Sequence, residues 1–254
     1  MGGAYHENIL AERGGAARSC GAMLLRVLEP EVMDTPEEAH DYDAMDHAAV
    51  NATFCDDLIV FAETLGQRHP RLIDFGTGTA QIPIALCSRA AGFTVVAIDL
   101  AENMLALAQR NVARAQLGDR ILLEKVDAKG TRFEDGAFGA CISNSIIHHI
   151  PDPAQCFEEM WRVTASGGVL FVRDLHRPSS EAEVEGLLAL HGGSPPADPA
   201  RLASFEHQRS LFRASLCAAL TVAEVAALVA PLGIPASAIA MTSDRHWTLA
   251  HRKP

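Results

Sequence analysis

The sequence predicts an α/β fold built on a mostly parallel sheet, on three observations. From about residue 71, short apolar strands alternate with amphipathic helices. Strand, helix, strand at this spacing implies parallel pairing through right-handed crossovers, with helices on both faces of the sheet. The last two apolar stretches are separated only by a turn, so the final strand is expected to run antiparallel to its neighbours.

Each element has a local reason. Residues 1 to 69 contain acid-rich helical stretches and are expected to form an N-terminal helical cover, leaving 70–254 as the main domain. "RLIDF" is the first strand. The helix after it runs from Gln81 to Ala91 and must start at Ala80 or Gln81, because Pro83 is tolerated only in a first turn. "TVVAID" is the second strand. Met104, Leu105, Leu107, Ala108 and Val112 then give helical spacing over Glu102 to Gln116, with Gly118 as the expected stop. "ILLEKV" and "GACISN" follow as strands, then a helix from Pro153 to Thr164 and the strand "GVLFVRD". Regularity changes after Asp174. "GGSPPADP" is a turn-rich break, and "ARLASFEHQRSLFRASLCAAL" reads as an amphipathic helix, so about 179–219 is an insertion. "TVAEVAALVAPLG" is a helix with Thr221 and Glu224 in capping-box register, and "AIAMTSDRHWTLAHRK" is two strands around a turn near Asp244 and Arg245.

Composition narrows the partners. The 254 residues are 48% hydrophobic, enough for one well-filled core, and carry a formal net charge of -11, which repels a polyanion on average. A small molecule is therefore favoured over nucleic acid. Cys20, Cys55, Cys87, Cys141, Cys156 and Cys217 form no Cys-x-x-Cys pair, which suits a reducing compartment. "MGGAYHENILAERGG" lacks the features of a signal peptide, position 6 is His rather than the Ser or Thr of a myristoylation motif, and no apolar run approaches the roughly 18 residues of a membrane span. The expected location is the cytoplasm, away from the membrane. The oligomeric state is not legible.

The stretch "LIDFGTGTAQIPIAL" carries the functional signal. A dinucleotide loop wants Gly-x-Gly-x-x-Gly, but here Gly76 and Gly78 are followed by Gln81 in the third position. Asp99 ends the second strand about 25 residues after Asp74, where an acid can take both hydroxyls of a ribose; the competing role is to cap the following helix. An adenosine-bearing ligand fits this pattern.

"LIDFGTGTA", "VVAIDLAENMLALA", "KVDA", "ISNSIIHHIPDP" and "ASGGVLFVRD", in that order, resemble the class I S-adenosylmethionine-dependent methyltransferases, and most closely the small-molecule enzymes of the ubiquinone/menaquinone type. The resemblance covers about residues 70 to 175 and implies a Rossmann-like, mostly parallel seven-stranded sheet with an antiparallel last strand. It also implies S-adenosyl-L-methionine as cofactor. By the same resemblance, Asp74, Phe75, Gly76, Thr77 and Gly78 form the loop around the methionine part, with Asp74 holding the ammonium side directly or through water. Asp99 would bind the ribose, Leu100 and Met104 would flank the adenine, and Asp127 with Ala128 would meet its edge. Asn144 would line the floor, and Tyr42 in the segment before the first strand would cover the methionine end.

Methyl transfer from a sulfonium is an in-line displacement in which alignment matters most, while the acceptor atom can need a general base. Candidates are His149 first, then His148, Asp174 and His176, beyond the ends of the fourth and fifth strands. Arg177, Tyr42, Asp46 and His47 lie near them in the expected layout. Adjacent side chains point in different directions, so at most one of His148 and His149 is expected to face the acceptor. Arg177 could pair with Asp174 or begin the next helix. The eleven histidines show no ligand spacing, so no metal is expected. The place after strand four reads "NSII", not the motif of base amino-methylases, and Cys87 and Cys141 lie on core elements, unlike the thiols of arsenite methyltransferases. The insertion is the expected specificity element. The alternatives are an NAD-dependent oxidoreductase, disfavoured by Gln81 and the terminal hairpin, and a protein that binds the cofactor without turnover.

Overall fold

The computed structural model describes residues 24–32, 34–45, 47–66 and 71–254. Among the described residues seven strands form one sheet: β1 (Arg71–Phe75), β2 (Thr94–Asp99), β3 (Ile121–Lys125), β4 (Phe138–Asn144), β5 (Thr164–Leu175), β6 (Ile239–Met241) and β7 (His246–Arg252). Their order is β3-β2-β1-β4-β5-β7-β6. β1 to β5 pair in parallel, and β7 is antiparallel to both β5 and β6, as the short terminal turn requires. The helices are α1 (Pro36–Ala44), α2 (Ala48–Thr64), α3 (Gln81–Arg89), α4 (Glu102–Arg114), α5 (Ala154–Val163), α6 (Glu181–His191), α7 (Leu202–Ala218) and α8 (Val222–Val229).

The two-residue period of the strands divides the core between the two faces of the sheet. Ile73, Phe75, Val96 and Ile98 pack with Phe157 and Met160 of α5 and Val225 of α8. Leu72, Val95 and Ala97 point the other way and pack with Leu86 of α3, Ala108 of α4, and Phe54 and Leu58 of α2. Phe54 meets Phe171 of β5 edge-on at 5.2 Å. Hence α2, inside the stretch expected to be a cover, is a wall of the core, and of the described residues before it Glu31, Val32 and Tyr42 reach the C-terminal ends of the strands.

Several ends form where their chemistry places them. α3 begins at Gln81, with Ala80 left-handed (φ 61) at its N-cap and Pro83 in its first turn. α8 carries the full Thr221–Glu224 capping box. α4 stops at Arg114, not at Gln116 before Gly118: Gln116 itself takes the left-handed conformation (φ 57), and its N–H bonds Ala113 O. β5 is longer than "GVLFVRD", since Thr164 already pairs with Phe138 across an irregularity in register. The insertion holds α6 as well as α7; α6 packs Val184 and Leu188 against Leu216. Among the described residues, no helix is long and apolar enough to cross a membrane.

Candidate functional site

The C-terminal ends of β1, β2 and β4 surround a cavity, the crevice expected of an open parallel sheet. Its wall includes Gly76, Asp99, Leu100, Met104, Asp127, Ala128, Asn144 and Tyr42, all singled out by sequence, and also His149. The β1–α3 loop is held at its base because the N–H groups of Gly76 and Thr77 both donate to Ile98 O at 2.9 Å. Gly76 (φ 69) has Ile146 against its α-carbon: an added Cβ would lie 2.1 Å from Ile146 Cγ2. Only glycine satisfies both the dihedral and that contact. Gly78 (φ 55) lies under the Tyr42 ring and does not line the cavity.

Asp99 joins two loops. Its Oδ2 accepts from Gly78 N–H (2.8 Å) and its Oδ1 from Ala101 N–H (2.9 Å). The carboxylate thus fastens the turn into α4 while facing the cavity, and each oxygen keeps a second lone pair for a ligand hydroxyl. Asp127 Oδ1 accepts from Lys129 N–H at 2.9 Å, an Asx turn that shapes the loop after β3. Asn144 Oδ1 is buried in the wall with no hydrogen-bond partner among the described residues, an acceptor suited to a ligand's N–H or ammonium donor.

Residues 73–172 match the family described as a methyltransferase domain. Over that stretch, well under half of its length, the chain is similar to methyltransferases. A demethylmenaquinone methyltransferase of Thermus thermophilus is 36% identical over 112 residues, 44% of this chain and 50% of that protein. One of Deinococcus radiodurans is 33% identical over 119 residues, 47% and 48% of the two chains. The chain therefore spans about half the length of these curated relatives. Among solved structures, a SAM-dependent methyltransferase from Aquifex aeolicus superposes with a TM-score of 0.60 at 15% identity, covering 87% of this chain and 99% of its own. The plantazolicin methyltransferase BpumL, solved with a monoazolic substrate analogue and SAH, gives 0.64 at 13% identity, with coverage of 85% and 89%. These two likenesses establish the fold.

The remaining residues expected around the cavity lie behind its wall. Phe75 is fully buried in the core, and Thr77 and Asp74 are buried under the loop. Burial pushes the Asp74 carboxyl up to about 7, against Thr77 and helped by the charge of Asp99. The unfolded carboxyl releases its proton near 3.8, so as pH rises from there through about 7 the folded protein holds a proton that the unfolded chain has lost, and stability falls across that window. Asp74→Asn is expected to remove this decline, so its melting temperature should gain on the parent between pH 4 and 7 and hold a constant difference above. Parallel pH curves for the two proteins would contradict the assignment.

His148 and His149 take different environments. His148 is buried, its Nδ1 2.5 Å from Asp174 Oδ1. Burial works to lower its pKa, but Asp174 and then Glu29 outweigh it and hold the imidazole above its ordinary value. For Asp174 the upward push of burial is outweighed by His148, and the carboxyl lies below its usual range. His149 lines the cavity, and burial with the neighbouring His148 pushes it down to about 3, so its ring is neutral near pH 7. His176 is outside the wall: its N–H donates to Arg245 O (2.8 Å) beside the β6–β7 turn. Arg177 pairs with Glu224 (2.5 Å) and Ala219 O (2.8 Å), not with Asp174. Asp46 lies outside the described residues. The His47 ring lies 5.0 Å from that of Tyr42.

The sequence reading missed the strap formed by residues 24–32 and 34–35. Glu31 and Val32 line the cavity, and Glu31 pairs with Lys129 on the opposite rim. Arg26 anchors the strap by donating to Ala218 O (2.7 Å), Ile150 O (2.9 Å), Pro151 O (3.1 Å) and His148 O (3.2 Å). Asp34 caps α4 from outside, accepting from Asn103 N–H at 2.9 Å where the N-cap Ala101 has no side chain to do so. The only sequence signal for this strap is its charge, which has no period. From its end α1 lays Ala39 and Tyr42 on Ala101, Met104 and Leu107, and burial pushes the Tyr42 phenol up to about 12.

Proposed function

We propose that the chain transfers a methyl group from S-adenosylmethionine to a small-molecule acceptor, in the cytoplasm, by in-line displacement. The observation that carries this reading is the convergence of Asp99, Met104, Asp127 and Asn144 on one cavity beside a glycine loop with no pyrophosphate cradle. Gln81, in place of the third glycine, turns its side chain away to Asn51 (3.2 Å) and Asp43 (3.5 Å). Asp99 suits the ribose hydroxyls, Leu100 and Met104 the faces of the adenine, and Asn144 the donors of the methionine part. Asp74 acts from behind, through the loop. The acceptor stays a small molecule of open identity, because α6 and α7 lie beyond residues 73–172, the stretch that matches the methyltransferase domain family. Calorimetry with S-adenosylmethionine, its demethylated product and NAD tests the reading; affinity for NAD alone would replace it with an oxidoreductase. Transfer of a labelled methyl group into a cell extract separates turnover from binding.

The strap and α1 act as the cover. Amide exchange over residues 34–44 should slow when the demethylated cofactor is added, because Tyr42 and Asp34 tie this segment to α4 at the cavity. Protection of the pocket loops without any change in 34–44 would remove that role.

On the acceptor side, His149 is the residue proposed to touch the acceptor, with His148 and Asp174 behind it, and His176 does not line the cavity. His149→Ala is expected to leave affinity for the demethylated cofactor within a few-fold and, once an acceptor is known, to lower methyl transfer more than His191→Ala does. Unchanged turnover would remove His149 from the chemistry.

A further inference from the structure

The strap and the end of β4 bring together three donor atoms that the sequence keeps far apart. Glu29 Oε1 lies 3.2 Å from His149 Nδ1 and 3.5 Å from His148 Nε2. All three atoms fall within 4.8 Å of one another. The Glu29 side chain is nine-tenths buried, and neither its Oε1 nor His149 Nδ1 has a hydrogen-bond partner among the described residues. The other Glu29 oxygen is engaged by the Ser215 hydroxyl at 3.4 Å, which leaves Oε1 turned to the two rings.

The tautomers sharpen this. When His148 is neutral and gives its Nδ1 proton to Asp174, its Nε2 presents a lone pair to Glu29. Two lone pairs then face one carboxylate oxygen if His149 also presents its Nδ1. A single proton can satisfy one of these contacts, whereas one cation at their centre satisfies all three. Arg26 is not that cation, because its guanidinium donates to the carbonyls of Ala218, His148, Ile150 and Pro151.

We propose that Glu29, His148 and His149 bind one divalent first-row transition-metal ion, with Asp174 orienting His148 behind it. Two imidazoles and one carboxylate form a donor set suited to Zn²⁺ or Fe²⁺. Two ligand atoms about 2.0–2.1 Å from a tetrahedral ion lie roughly 3.3 Å apart, close to the two separations seen here. The Asp174–His148 contact is the carboxylate–histidine support that metal-ligating imidazoles commonly have. Three protein donors leave a fourth position for water or a ligand. His149 belongs both to the trio and to the cavity wall, and Glu29 belongs to the strap, so the ion would pin the strap to the end of β4 beside the site. This assignment replaces the expectation of no metal: His148 and His149 are adjacent in sequence, and their partner carboxylate is 119 positions away from the first of them.

The test is a titration of the full chain, stripped with chelator and dialysed, with Zn²⁺ alone. One ion per chain is expected. Glu29→Gln and His149→Ala should each weaken it by more than about 100-fold, and Asp174→Asn by about 10–100-fold, the usual cost of losing an outer partner. His191→Ala, whose ring pairs with Asp244 on another face, should bind as the parent does. Because a variant could lose its fold, hydrogen exchange of residues 24–32 in the parent is the second readout, and Zn²⁺ should slow it. Co²⁺ in place of Zn²⁺ should give the visible absorption of a four-coordinate site, absent in folded Glu29→Gln. No stoichiometric ion, or an ion retained in Glu29→Gln at parental affinity, would overturn the proposal.

Discussion

Asp174→Ala is expected to destabilise the fold by about 3–5 kcal/mol, the cost of leaving one member of a buried charged pair without the other. Asp174 is 1% exposed and gathers four donors: Ile147 N–H at 2.6 Å and His148 N–H at 3.4 Å on one oxygen, and His148 Nδ1 at 2.5 Å and Leu175 N–H at 2.6 Å on the other. Alanine removes every acceptor and leaves these donors buried without their partner. Asp174→Asn keeps one acceptor oxygen and should cost less. Urea denaturation with an unchanged slope checks both variants; a loss below about 1 kcal/mol in Asp174→Ala would mean the loop after β4 re-forms without its carboxylate.

Asp99→Ala is expected to weaken binding of the demethylated cofactor by about 1.5–3 kcal/mol, the range for hydrogen bonds to a charged group. Two losses contribute. The ligand hydroxyls lose their acceptor, and Gly78 and Ala101 lose the carboxylate that ties the glycine loop to the start of α4. The strand remains because Asp99 is its last residue and Ala97 and Ile98 keep their pairing to β1 and β3. Calorimetry on a variant with parental circular dichroism is the measurement. Equal affinity would remove Asp99 from the ribose position and leave it only the loop-fastening role.

Much of the fold was legible because its causes are local. Alternating Leu72, Ile73 and Phe75 divide two apolar faces within five residues, and the Thr221–Glu224 box closes within one helical turn. The glycine loop and Asp99 were legible for the same reason: a left-handed backbone and an acid at a strand end are written in the residues that need them. The exact end of α4 was not, since Gln116 accepts a left-handed conformation that the sequence pattern assigns to the nearby Gly118.

By itself the sequence determined the α/β alternation, the antiparallel close of the sheet and the glycine turn after β1, whereas the residues of the cavity wall were named through the family resemblance. Each of the first three depends on neighbours within a turn or a strand, or on the right-handed crossover common to such sheets. Only the tertiary structure decided that α2 belongs to the core, that Arg177 joins Glu224, that His149 faces the cavity while His148 turns to Asp174, and that Glu29 and Glu31 reach the site from the strap. An extended strap has no period to read, and its carboxylates acquire partners only when folding brings residues more than 90 positions away within a few ångströms.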